Sequence, residues 1–116
     1  MGGPGLGLAG RHCDPQRTGK TLLAGDALEE LKRQIPDWRA EENRQLAKTF
    51  LFPDFRKALD FVNRVGAVAE QEGHHPDIHL AWGRVDAITY THKIKGLTES
   101  DFVLAAKIDR VYFEKQ

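Results

Sequence analysis

The chain has 116 residues and a formal net charge of zero, because its 17 lysines and arginines match its 17 aspartates and glutamates. This length suits a single domain, and the charge balance argues against a general affinity for nucleic acid or for an anionic membrane. The only cysteine, Cys13, cannot form a disulfide within the chain. No apolar run approaches the roughly 20 residues that cross a bilayer. We therefore expect a cytoplasmic protein with no membrane association and no direct nucleic-acid partner.

The first 20 residues contain most of the glycines and few apolar side chains. A segment of this composition buries too little apolar surface to fold by itself. We therefore predict a flexible N-terminal arm over residues 1–20, without regular structure or at most as a strap across the surface. The folded domain is expected to cover residues 21–116.

The first half of the domain predicts a helix followed by a hairpin. Asp26 is placed to cap a helix that runs to Gln34 and stops before Pro36. The next segment, "DWRAEENRQLAKTFLF", predicts two antiparallel strands, because apolar and polar residues alternate in its second half. That alternation places Leu46, Lys48, Phe50 and Phe52 on one side of the strand, opposite Gln45, Ala47 and Thr49.

The strongest helical pattern of the chain begins after Pro53-Asp54 and extends to about Glu72. Gly73 suits the left-handed residue that often ends a helix. The apolar positions at helical spacing are Phe55, Ala58, Leu59, Val62, Val65 and Ala69.

A second hairpin is predicted from about Asp77–Trp82 and Val85–His92, with Gly83-Arg84 as its turn. In this register Trp82 faces Val85, and an extension of the same pairing places His92 opposite His75. Two histidines that are distant in sequence would therefore converge beside the C-terminus of the long helix. The face that we assign to the core comprises Ile78, Leu80, Trp82, Val85, Ala87 and Thr89.

The last element is a helix that follows the capping-box pattern "TESD" and ends near Phe113. The element order is therefore αββαββα. Because the strands come as hairpins, we predict an α+β domain of two layers, with a four-stranded antiparallel sheet and three helices on one face. The last helix carries two apolar stripes, of which one can cover the sheet, so we expect the other to bind a partner in a homodimer or homotetramer. The stripes comprise Leu104, Ile108 and Val111, and Phe102, Ala105, Ala106 and Phe113.

The five histidines include three in the segment "EQEGHHPDIHLAW". Solvent-facing positions account for His79 and for His12. For His74, His75 and His92, surface positions stay open as an alternative beside a zinc site and an acid–base site. The adjacent spacing and the lack of a second cysteine argue against zinc, and imidazole titrates near neutrality. We therefore favour acid–base chemistry without a metal.

The segment "EQEGHHPDIHLAWGRVDAITYTHKIKGLTESD" resembles the signature of the pterin-4a-carbinolamine dehydratases. In that family a glutamate precedes His-His-Pro, and an aromatic residue, a Thr-His pair and an aspartate follow. The matching positions here are Glu70, His74, His75, Pro76, Trp82, Thr91, His92 and Asp101. The resemblance extends over Leu22–Phe113. Many bacterial members also carry His-Cys-x-Pro-Cys in the arm, where this chain has "HCDPQ", with Gln16 in place of the second cysteine.

The resemblance implies the fold derived above and the dehydration of 4a-hydroxytetrahydropterin to a quinonoid dihydropterin, in the recycling of tetrahydrobiopterin. The implied partner is a pterin substrate, and no cofactor is implied. The alternative is a non-catalytic module of the same fold that binds a pterin or that stabilises or dimerises another protein. The family supports both alternatives, because its animal members also act as a dimerisation cofactor of a transcription factor.

The resemblance implies that His74 and His92 are the catalytic acid–base residues, with the acid role assigned to His74 at the end of the long helix. His75, held extended by Pro76, is expected to bind the substrate.

The other candidates for the substrate site are Glu70, Trp38, Thr91 and Asp101. Glu70 could orient His74 or be a solvated residue at the helix end. Trp38 could cover the flat pterin ring or belong to the core. Asp101 could bind a group in the site or cap the last helix.

Overall fold

The computed structural model describes residues 6–13 and 21–115. Its elements are α1 (Leu6–Ala9), α2 (Gly25–Gln34), β1 (Arg39–Glu41), β2 (Gln45–Leu51), α3 (Phe55–Glu72), β3 (Asp77–Ala81), β4 (Arg84–Thr89) and α4 (Glu99–Lys115). The predicted αββαββα order is confirmed, and α1 is one short helix more than the sequence pattern indicated. Within these two ranges, no helix is both long enough and apolar enough to cross a membrane.

The four strands form one antiparallel sheet in the order β1-β2-β4-β3, and α3 and α4 pack on one face of it. The predicted two-layer α+β class is therefore confirmed. The core lies between the layers, where the sheet contributes buried side chains from its two central strands. The apolar ones are Leu46 and Phe50 of β2 and Val85 and Ala87 of β4.

Both predicted ends of α3 are confirmed. The Asp54 carboxylate accepts a hydrogen bond from the backbone N–H of Lys57 and caps the first turn. Gly73 follows the last residue with φ of 68°, a left-handed conformation that a residue with a Cβ adopts at a cost. The helix therefore stops at a defined place, directly before His74.

The predicted register of the second hairpin is wrong. Ala81 pairs with Arg84, so the turn is Trp82-Gly83 rather than Gly83-Arg84. The reason lies in the neighbouring strand, since Arg84 also pairs with Leu51 of β2 and is thereby held within β4. Trp82 does not face Val85 but is 68% exposed in the turn.

The assignment of Trp82 to the core face is therefore wrong, but the other residues of that face keep their side. Leu80 now pairs with Val85, and Ile78 pairs with Ala87, so the same side chains point toward the helices. The pairing of β3 with β4 ends at Asp77 and Ile88. The predicted pairing of His75 with His92 is therefore wrong, because both residues lie beyond the paired strands.

Residues 6–13, which we call the strap, pack against α4. Leu8 is fully buried and Ala9 is 2% exposed, so this part of the predicted flexible arm is an ordered strap. Residues 1–5 and 14–20 of the predicted arm, with Gln16, lie outside the described residues.

The second apolar stripe of the last helix does not need another copy of the chain to cover it. Phe102, Ala105 and Ala106 are buried within the single chain, in the same core cluster as Leu8 of the strap. The sequence alone does not show that the strap covers α4 in addition to the sheet. Phe113, at 62%, is the large residue of that stripe that remains exposed.

Candidate functional site

The centre of the candidate site is a hydrogen bond between His74 and Asp101. The imidazole Nε2 lies 2.7 Å from Asp101 Oδ1, although 27 residues separate the two positions. His74 follows the end of α3, and Asp101 lies in the first turn of α4. The Asp101 side chain is completely buried, whereas 15% of the His74 side chain remains exposed.

Three further donors hold the Asp101 carboxylate. The Thr89 hydroxyl donates to Oδ1 at 2.8 Å, the Thr91 hydroxyl donates to Oδ2 at 2.8 Å, and the Thr98 backbone N–H donates to Oδ2 at 3.0 Å. The bond from Thr98 is the helix-capping bond that the sequence suggested, and the bond with His74 is the alternative. Asp101 makes both. Four donors from three segments, namely the loop after α3, β4 and the connection between β4 and α4, fix this buried carboxylate in one position.

The environment of Asp101 decides which nitrogen of His74 can exchange a proton. A carboxylate only accepts hydrogen bonds, so Nε2 of His74 donates to Asp101. Among the described residues, Nδ1 of His74 has no hydrogen-bond partner. The ring is thus oriented through one nitrogen and can take up or release a proton through the other.

His75 has a different carboxylate partner. Its Nε2 lies 2.6 Å from Oε2 of Glu70, and both side chains are largely exposed, at 57% and 79%. The hypothesis that Glu70 orients His74 is therefore wrong, because Glu70, on the last turn of α3, reaches past it to the next histidine. Pro76, between His75 and β3, is half-buried.

His92 contacts Tyr90 rather than His74 or His75. Their ring centroids are 4.3 Å apart, and the described residues show no hydrogen bond to His92. Thr91 lies between them in sequence, and its hydroxyl points to Asp101. Tyr90 and His92 therefore project to the opposite side of the chain from Thr91, and the predicted direct convergence of three histidines is not observed.

Trp38 lies in the core, which was the structural alternative for this residue. It is 6% exposed, and its indole Nε1 donates to Oδ2 of Asp109 at 3.1 Å. Lys48 donates to the other oxygen of Asp109 at 2.7 Å. Burial raises the pKa of Asp109 above its ordinary value although Lys48 opposes this effect. Little of the Trp38 ring remains to cover a substrate.

His79 lies on the outer face of the sheet, as predicted. It is exposed and pairs across the strands with Asp86. Asp86 is bound by the Thr49 hydroxyl at 2.6 Å and by Arg84 at 3.1 Å. No group of three or more histidine, cysteine, aspartate or glutamate side chains that could hold a metal occurs within the described ranges.

Thr89, Thr98 and Glu72 also belong to this region but were not predicted as site residues from the sequence. Thr89 could have been found as a polar residue on the core face of its strand, and Thr98 as the first residue of the capping box. Glu72 stands three residues after Ala69 on the apolar face of α3, where a buried charge is unusual. Thr89 and Glu72 were local conflicts between a polar residue and a buried position, whereas Thr98 was marked by the capping box.

A family model described as Pterin 4 alpha carbinolamine dehydratase matches residues 21–111. A protein of Rubrobacter xylanophilus, provisionally named pterin-4-alpha-carbinolamine dehydratase, is 53% identical over 104 residues, which cover 90% of this chain and 97% of that protein. A protein of Alkaliphilus metalliredigens with the same provisional name is 44% identical over 107 residues, which cover 89% of this chain and 94% of that protein.

Two solved structures share the fold. The crystal structure of a transcriptional coactivator/pterin dehydratase from Brucella melitensis aligns with a TM-score of 0.74 at 29% identity, over 79% of this chain and 99% of that chain. A pterin dehydratase-like protein, identified as a RuBisCO assembly factor in the alpha-carboxysome, aligns with a TM-score of 0.51 over 59% of this chain and 79% of that chain. The second pair is 23% identical, so the likeness is one of fold alone.

Proposed function

Because the chain belongs to the pterin-4-alpha-carbinolamine dehydratase family, we propose that it removes water from 4a-hydroxytetrahydropterin and releases the quinonoid dihydropterin. The observation that carries this proposal is the His74–Asp101 pair, which holds an imidazole with one nitrogen available for proton transfer. The family assigns the reaction class, and the pair supplies a group that can perform part of it.

The reaction needs one proton to be delivered and another to be removed. The bond between C4a and the hydroxyl oxygen breaks as that oxygen gains a proton and leaves as water. The N5–H bond gives up its proton, and the electron pair on N5 forms the C4a=N5 double bond. No oxidant or reductant takes part, so two acid–base groups on the two sides of the C4a–N5 bond suffice, and each contributes roughly 10²–10⁴-fold.

His74 is proposed as the acid. Asp101 orients the ring through Nε2 and stabilises its positive charge whenever Nδ1 carries a proton. The ring also follows the C-terminus of α3, where the helix dipole favours a positive charge. Nδ1 would deliver its proton to the departing hydroxyl oxygen.

His92 is proposed as the second acid–base group. The hydrogen bond from Thr91 to Asp101 fixes the chain directly before His92, and Thr91 also pairs with Gly96 through a backbone bond of 2.8 Å. These two bonds support the proposal because they fix the backbone of the residue directly before His92, whose imidazole contacts Tyr90. When a pterin is bound, His74 would deliver the proton to the hydroxyl oxygen and His92 would remove the proton from N5.

His75, with Glu70 and Pro76, is proposed to bind the substrate. The paired side chains of His75 and Glu70 are exposed and offer hydrogen-bonding groups at the edge of the site. In the cell, we propose that the reaction belongs to tetrahydrobiopterin recycling and takes place in the cytoplasm.

The test is the loss of a synthetic 4a-hydroxytetrahydropterin, measured after subtraction of the reaction in buffer alone. The wild-type chain should exceed that background, and His74→Ala should lower kcat by about 10²-fold or more. His79→Ala is a matched control, because it removes an imidazole from the outer face of the sheet. A wild-type rate equal to the background would contradict the proposal.

A second candidate is a protein-stabilising module of the same fold. The observation that favours it is the Brucella melitensis structure, whose description combines a transcriptional coactivator with a pterin dehydratase. A chain that only stabilises a partner would keep that ability in the His74→Ala variant and would show no turnover above the buffer reaction. Measured turnover that depends on His74 separates the two candidates.

A further inference from the structure

Glu72 is a buried carboxylate in an unfavourable place. It is the last residue of α3, and only 3% of its side chain is exposed. The C-terminus of a helix carries partial negative charge, so an anion there is repelled, and burial removes the water that would otherwise solvate it. Such a carboxylate needs donors from outside its own helix.

Those donors come from the strap and from α4. The backbone N–H of Cys13 donates to Oε1 at 2.8 Å, and Nδ1 of His12 lies 3.0 Å from Oε2. Lys107 of α4, which is 8% exposed, lies 3.6 Å from Oε2 and donates to the Ala9 carbonyl at 2.9 Å. Burial acts to raise the pKa of Glu72, but Cys13, His12 and Lys107 outweigh it and hold the pKa below its ordinary value. The ionised carboxylate therefore ties the strap to the end of α3.

The strap also contacts the first turn of α4. The Cys13 thiol donates a hydrogen bond to the Ser100 carbonyl at 3.4 Å. Cys13 thus links two helix ends. Its N–H binds the last residue of α3, and its thiol binds the first turn of α4. Without the strap, the two helix ends would lose this link.

The His74–Asp101 pair lies at these two helix ends. His74 comes two residues after Glu72, across the left-handed Gly73, and Asp101 directly follows Ser100. The His74 backbone N–H donates to the Ala69 carbonyl at 3.3 Å, so the chain after Glu72 turns tightly against α3. A displacement of Glu72 would therefore be transmitted to His74 over a very short path.

We propose that Glu72 is a positioning residue, and that docking of the strap on its carboxylate holds the ends of α3 and α4 at the separation which the His74–Asp101 hydrogen bond requires. A catalytic constellation must be held within about 0.5 Å of its working geometry. The effect on turnover rests on the proposed dehydratase function, whereas the geometry of the pair can be measured without any substrate.

The experiment compares Glu72→Ala with Arg11→Ala in the full chain. Arg11 belongs to the same strap, but its ion pair with Glu99 is half-exposed and contributes little to docking. Nitrogen-15 spectra of labelled histidines report the tautomer of each ring, and the His74 signal is assigned from its loss in His74→Ala. The wild-type chain and Arg11→Ala should show the Nε2–H tautomer of His74. Glu72→Ala should show a mixture of both tautomers.

Two further measurements accompany the spectra. Alkylation of Cys13 should become faster in Glu72→Ala, which shows that the strap has been released. In the same variant kcat should fall by about 10-fold or more while KM changes less, because a misplaced catalytic group affects the reaction more than binding. If circular dichroism shows that Glu72→Ala does not fold, Glu72→Gln keeps an oxygen for the Cys13 N–H, and we expect a smaller change in the same direction.

In Glu72→Ala or Glu72→Gln, fast alkylation of Cys13 together with a wild-type His74 tautomer and a wild-type kcat would overturn the proposal. A wild-type chain without turnover above the buffer reaction, but with a His74 tautomer that depends on Glu72, would reject the dehydratase function and support the positioning role. The two hypotheses therefore fail in different ways.

Discussion

The imidazole of His92 stacks against the phenol ring of Tyr90, with centroids 4.3 Å apart and an angle of 38° between the ring planes. This contact places the second candidate acid–base residue on the other side of the chain from Thr91 and Asp101. The observed position of His92 also differs from the predicted one, because the pairing of β3 with β4 ends before it could bring His92 opposite His75.

We predict that His92→Ala lowers kcat by about 10²-fold or more after subtraction of the buffer reaction, if the residue carries a proton in the transition state. A variant that lacks both His74 and His92 should approach the background rate and still fold. The control is again His79→Ala, which should change neither kcat nor KM by much. Loss of activity in His79→Ala with full activity in His92→Ala would reject the proposed pair.

For His75 we predict an effect on binding rather than on the chemical step. His75→Ala should raise KM and lower kcat only slightly, because the ring and its partner Glu70 lie at the exposed edge of the site. The thermal midpoint should hardly change, since exposed ion pairs typically contribute about 0–1 kcal/mol to stability. Steady-state kinetics and a melting curve test this, and a collapse of kcat at unchanged KM would count against it.

Chelation separates proton transfer from metal chemistry. If the histidines are acid–base groups, dialysis against a strong chelator should leave the circular dichroism spectrum and the dehydratase rate unchanged. Metal analysis of the purified protein is the matched measurement. Stoichiometric zinc that survives purification, with activity lost on its removal and restored by its return, would favour the metal site instead.

The Cys13 thiol should react slowly. Burial, followed by the nearby charge of Glu72, raises its pKa from 9.0 to about 12. At pH 8 the thiolate fraction, and with it the rate of alkylation by iodoacetamide, should be on the order of a thousandfold lower than in the urea-unfolded chain. Because the unfolded thiol loses its proton first, the contribution of Cys13 to stability should fall as the pH rises from 9.0 toward 12. Equal rates in the folded and unfolded chains would contradict this.

Assembly remains a prediction that now concerns fewer residues. We expect light scattering at micromolar concentration to give the mass of a dimer or tetramer, with Phe113 of α4 at the contact because it is 62% exposed. Phe113→Asp should lower that mass. Leu22→Asp, at a position that is 56% exposed on another part of the surface, is the control. A monomer mass for the wild-type chain would defeat the idea.

Local patterns in the sequence determined the three long helices and the faces of the strands, but not α1. Asp54 and Gly73 mark the two ends of α3 because capping and the left-handed turn depend only on residues within one helical turn. Ile78 and Leu80 were assigned correctly to the core although the predicted register was wrong. Side chains alternate between the two faces of a strand with a period of two residues. A shift of the turn by one residue moves each cross-strand partner by two residues, so each side chain stays on its face.

Contacts between segments that are distant in the sequence decided the site. The turn at Trp82-Gly83 depends on the pairing of Arg84 with Leu51. The Asp101 carboxylate accepts hydrogen bonds from the loop after α3, from β4 and from the connection between β4 and α4. The bonds of Glu72 to the strap span 59 and 60 residues. Such contacts form only when the packed layers bring their partners together, because no local pattern specifies which distant donor will satisfy a buried carboxylate.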